Sequence, residues 1–71
     1  MVQIKHKSRT RLINKRRALK KHQKDIADVL GVTTAYYSMI ESGKRTPRYE
    51  HMVAIADYFK VKPDYFFYDN I

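Results

Sequence analysis

The stretch QKDIADVLGVTTAYYSMIES, residues 23–42, constrains this chain more than any other. It reads as two short helices folded over one glycine. Ile26, Ala27 and Leu30 fall at i, i+1 and i+4, the spacing of a helix from about Gln23 to Leu30. Gly31 follows where the chain must leave that helix, and glycine enters the left-handed region without steric cost. Thr33 or Thr34 can cap the next helix with a hydroxyl; that helix buries Tyr37 and Ile40 and closes at Gly43. Two helices joined by so tight a turn are a helix-turn-helix. Such a unit needs a small residue where its helices cross closest, an apolar plug behind the turn and a shared core. Ala27, Val32 and the set Ile26, Leu30, Tyr37 and Ile40 meet those needs in turn.

The flanking segments supply the rest of a bundle. From Arg9, the positions Leu12, Ile13, Ala18 and Leu19 fit one stripe of a first helix ending near Lys20 or Lys21. GKRTP, residues 43–47, is a loop, because a helix does not run through its proline. Tyr49, Met52, Ile55, Ala56 and Phe59 repeat at helical spacing and predict a fourth helix, and Pro63 opens a short fifth. The one alternation, Val2 and Ile4, is too short for a strand. The expected class is all-α, a compact bundle of about five short helices. Residues 1–8 read as a flexible basic arm and 9–71 as one domain carrying the motif at about 23–42, with no room for a separate effector domain.

Charge narrows the choice of partner. The chain has 71 residues and a net charge of +8, but residues 1–24 hold ten Lys or Arg and no acid, while 25–71 hold five bases and seven acids. So one-sided a balance attracts polyanions, nucleic acid first. There is no cysteine, and His6, His22 and His51 lie in separate segments, so neither a metal site nor a cofactor is expected. No apolar run approaches the ~18 residues of a membrane span, and the basic start lacks the apolar stretch of a secretory signal. The expected setting is cytoplasmic: prokaryotic or phage-encoded, at the nucleoid. Catalysis is not expected, since the acids form no pair and no serine sits in a glycine elbow.

On Arg16, on QKDIADVLGV at 23–32, on IESGKRTP at 40–47 and on AIADYFKVKPDYF at 54–66, the chain resembles the lambda-repressor-like DNA-binding domains, the Cro/CI or XRE family. The resemblance spans residues 9–67. It implies five helices with the third in the DNA major groove. It also implies that Gln23, first in the second helix, grips a phosphate with its amide and the helix N-terminus. Lys44, Arg45 and Arg48 clamp phosphates across the groove, and Lys24 and Tyr36, which flanks the reading face, are further candidate phosphate contacts. By the same resemblance Arg16 pairs with Glu41, tying the first helix to the third. One corner departs from the pattern: Lys20, Lys21 and His22 stand where the family usually has a glycine, an apolar residue and a small cap.

Helical geometry gives the reading edge. If Tyr37 and Ile40 point inward, Thr34, Ala35, Ser38 and Met39 point outward, with Thr33 at the helix start. That edge has no Arg, Asn or Gln for bidentate base contacts, so readout is expected to lean on thymine methyls against Thr34, Ala35 and Met39, and on DNA shape. Pro63, Tyr65, Phe67 and Tyr68 leave apolar groups for a two-fold contact, common at this corner in the family. The expected function is a double-stranded DNA-binding regulator, a repressor acting as a homodimer on a short near-palindromic operator, with no small-molecule ligand. The rivals are an RNA-binding protein with tyrosines as stacking platforms and an antitoxin-type module holding a protein partner. The bases Lys5, Lys7, Arg9 and Arg11 would let the arm follow phosphates or enter a minor groove, and a disordered leader is the equal alternative.

Overall fold

The computed structural model describes residues 7–67. They form five helices and no strand: α1 Thr10–Ala18, α2 Gln23–Leu30, α3 Thr34–Ser42, α4 Tyr49–Tyr58 and α5 Pro63–Phe67. None is long and apolar enough to cross a membrane. α2 packs chiefly on α3, α4 on α5 and α2, and α1 bridges α3 and α5. The centre is Leu12, Ile26, Ala27, Tyr37, Ile40 and Ile55, each at most 1% exposed. Phe59 and Phe66 extend it toward α5 with their rings edge to face.

Three helices end in the same way. After α2, Gly31 adopts φ +70° while its N–H donates to the Asp28 carbonyl and that of Val32 to Ala27. After α1, Lys20 (φ +58°) donates to Arg17 and Lys21 to Arg16; after α4, Lys60 (φ +59°) donates to Asp57 and Val61 to Ala56. This is the Schellman pattern, usually built on glycine with an apolar residue next. Val32 and Val61 take the apolar place in two of the three, and exposed Lys21 takes it in the first.

Two expectations need correction. α1 ends at Ala18, short of Lys20, and both Ala18 and Leu19 face solvent. Its inward positions are Leu12 and Arg16, the latter turned toward α3 as the resemblance implies. Tyr49 is 68% exposed, because it begins α4 beyond the core; the buried stripe runs Met52, Ile55, Ala56, Phe59.

Candidate nucleic-acid interface

The first turn of α3 is fixed from within. Thr33 stands in extended conformation before the helix, and its Oγ1 accepts the Tyr36 N–H at 3.1 Å. Deeper along the helix, Tyr37 and Ile40 are fully buried. Thr33, Thr34 and Ala35 are exposed, Ser38 is half-buried and Met39 is 42% exposed. The predicted outer edge therefore lies together on one exposed side of α3, with its anchors on the other.

Beneath that edge is a buried ion pair. Arg16 Nε donates to Glu41 Oε2 at 2.6 Å and Nη2 to Oε1 at 3.1 Å, while Nη1 reaches the Lys21 carbonyl at 2.9 Å. Gln23 Nε2 also donates to Glu41 Oε1, at 2.9 Å. Four residues thus join α1, the α1–α2 corner, α2 and α3. Burial raises the Glu41 carboxyl, but the hydrogen bonds from Arg16 and Gln23, the neighbouring Tyr37 hydroxyl and the Arg16 charge together hold it below the ordinary carboxylate range. The Arg16 guanidinium is raised by its bond to Glu41. Burial, and then the Glu41 charge, push the Tyr37 phenol well above its usual range. The Tyr37 hydroxyl is sealed from solvent and stops short of hydrogen-bond geometry with any described group.

The expected phosphate contacts fall into two groups. Gln23 and Lys24 open α2; the Gln23 amide has one N–H on Glu41 and a second N–H by its chemistry, and Lys24 makes an exposed pair with Asp28 at 3.1 Å. Tyr36, Arg45 and Arg48 line one shallow cleft with Val32, Thr46 and His51. There the Tyr36 hydroxyl lies 3.2 Å from His51 Nδ1, and the Arg45 guanidinium sits 5.3 Å from the centre of the Tyr36 ring. Lys44 is exposed in the same loop. Sequence reasoning left out His51, since its link to Tyr36 spans two helices and no local spacing signals it.

Two bases assigned to the arm have internal work. The Arg9 N–H donates to the Glu41 carbonyl and its Nη1 to those of Ile40 (2.6 Å) and Arg45 (3.2 Å), closing the last turn of α3, while its guanidinium lies over Phe67. Arg11 lies over Tyr65 and donates to its carbonyl. These interactions hold Arg9 and Arg11 on the folded bundle, so of the four bases considered for the arm these two are not free of it. Of the apolar corner, Tyr65 is 45% exposed, Pro63 and Phe67 are half-buried, and Tyr68 lies outside the described residues, as does Lys5. Among the described residues no group of side chains is arranged to hold a metal ion.

An all-α bundle whose second and third helices meet over a left-handed glycine, with the third helix bare along its outer edge, is a helix-turn-helix domain. The helix-turn-helix family model matches residues 12–66, and the chain belongs to that family, in its Cro/CI (XRE) type with the lambda-repressor-like fold. Among curated proteins it is similar to the cryptic phage CTXphi transcriptional repressor RstR of Vibrio cholerae serotype O1 (strain ATCC 39315 / El Tor Inaba N16961). The two are 38% identical over 58 residues, covering 82% of this chain and 52% of the relative. The chain thus spans about half the length of that protein. No solved structure matches the chain significantly.

Proposed function

We propose that this protein is a transcriptional repressor that binds a short, near-palindromic DNA operator as a homodimer, placing α3 in the major groove. The observation carrying this reading is the exposed edge of α3 on a firmly anchored helix, in a chain whose first 24 residues hold ten bases and no acid. Similarity to a phage transcriptional repressor supports it. A compact reader can repress simply by occupying a promoter. In this reading Gln23 and Lys24 hold phosphates on one side of the groove, and Tyr36, Lys44, Arg45 and Arg48 on the other, with Tyr36 and Arg45 packed together. These contacts supply affinity without sequence information.

Bases are read by Thr33, Thr34, Ala35, Ser38 and Met39. Their hydroxyls and methyls suit thymine-rich half-sites, and the dimer places the two half-sites about one helical turn, ~34 Å, apart. Pro63, Tyr65, Phe67 and Tyr68 supply the two-fold contact. The repressor works in the cytoplasm at the nucleoid. Selection of bound sites from a random duplex pool tests the whole reading: a two-fold symmetric motif with one-turn spacing is expected, and a pool without enrichment overturns it. Replacing contacted thymines with uracil then removes only methyls. Affinity should fall, and equal binding refutes the methyl contacts.

A further inference from the structure

The α1–α2 corner is built against its own stability. Lys20 occupies the left-handed region at φ +58°, where a side chain is strained and glycine is not. Lys21 then stands in the place that Val32 and Val61 fill in the two other helix ends of the same hydrogen-bond pattern. Lys60 shares the backbone strain but is followed by its valine. Of these three ends, the α1 corner alone departs from the more stable choice twice in succession, each time for a lysine, and both lysines face solvent.

The corner is also held in register with the reading helix. The carbonyl of Lys21 accepts from Arg16 Nη1, and that same guanidinium grips Glu41 of α3, which in turn holds the Gln23 amide. Lys20 and Lys21 are therefore carried on a fixed frame just before the start of α2, beside Gln23 and Lys24. A flexible basic tail would lack that placement. Favourable interaction with the α1 dipole is an insufficient reason for them, because Lys15, Arg16 and Arg17 already furnish the last turn.

We propose that Lys20 and Lys21 form a further DNA-phosphate contact, extending the backbone grip along the strand that meets the start of α2. This rests on the DNA-binding reading above. The partner is the phosphodiester backbone, so the contact is indifferent to base sequence and depends on salt. For every phosphate no longer neutralised, the slope of log affinity against log salt becomes shallower by ~0.9, which is about an eightfold weakening at about 0.1 M salt.

The test uses the double variant Lys20→Gly with Lys21→Val, which restores the usual glycine and apolar pair. Its melting temperature and its affinity for a mixed-sequence 20-base-pair duplex are measured across a salt series. The expected result is opposite movement: Tm rises by several degrees, on the order of 4–8 °C, while affinity and salt slope fall. The control, Lys60→Gly with Lys62→Ala, removes two charges at the α4–α5 corner and should leave affinity and slope as they are. A more stable K20G/K21V that binds duplex with the parent's affinity and slope overturns the proposal. So does a variant that binds less but also melts earlier, because the lysines would then be supporting the corner. An equal weakening in the control overturns it too, since net charge alone would explain the effect. Should the parent chain itself fail to bind duplex, the DNA-binding reading fails, which is a separate outcome.

Discussion

Glu41 shows most clearly how one side chain can serve the whole bundle. It is 2% exposed, and its two oxygens take three donors from two other helices. Removing one partner of a buried pair leaves the other charge uncompensated, typically at ~3–5 kcal/mol. Glu41→Ala should therefore unfold the domain or nearly so, measured by urea denaturation, while Lys24→Ala, which breaks an exposed pair, should cost under ~1 kcal/mol. Because the Glu41 carboxyl is lowered in the folded chain, its contribution is complete above the unfolded value of ~4.3 and is lost as pH falls below it. Tyr37 acts in the other direction. Its phenol is raised by burial, so its contribution is complete below ~10 and declines as pH rises further. Thermal melts across pH should show both flanks, and Tyr37→Phe should flatten the alkaline one. The pairing of Arg16 with Glu41 follows from family resemblance alone; nothing in their spacing of 25 residues announces a contact.

Among the helices and their connections, the two glycines do different work. A Cβ at Gly31 meets nothing within 4 Å, so Gly31→Ala should cost only the left-handed backbone penalty, ~1–2 kcal/mol. At Gly43 (φ +81°) a Cβ would also run into the backbone carbonyl of Lys7, so Gly43→Ala should cost more and loosen the segment that brings Arg9 to α3. Chemical denaturation of the two variants gives the order. Thr33→Ala, losing the Tyr36 cap, should cost ~1 kcal/mol by the same measure. The bounds of α2 and the start of α3 were legible because each has a local marker: an apolar period, a glycine, a capping threonine. The end of α1 was not. Its terminator is a lysine in a glycine's conformation, and an apolar-looking Leu19 extended the pattern past it. Tyr49 misled similarly, matching helical spacing at a turn with no core beneath it. The hold of Arg9 on the end of α3 joins residues more than 30 apart, beyond any periodicity.

Across the chain as a whole, charge is the governing quantity. With ten of its 15 basic residues in the first 24 positions and no acid there, the chain carries a lopsided field, not a uniform one. If six or more of its cations meet phosphate, affinity for duplex DNA should fall by a factor on the order of 10³ or more between about 50 and about 200 mM salt. A titration by fluorescence anisotropy measures this, and a flat salt response would reject a phosphate-led interface. The bundle itself was readable from the sequence, as was the bare side of α3. Less readable was the share of the positive charge that the fold keeps for itself: Arg9, Arg11 and Arg16 all have partners within the chain.

Thr34, Ala35 and Met39 contribute little to keeping α3 in its seat; that work belongs to Tyr37, Ile40, Glu41 and the Thr33 cap. The scaffold and its vocabulary are thus separable. Exchanging those three outward side chains for another set would leave the folding free energy nearly untouched; under the proposed base-reading role it would change what the helix addresses, so that new target preferences arise by steps that never pass through an unstable protein.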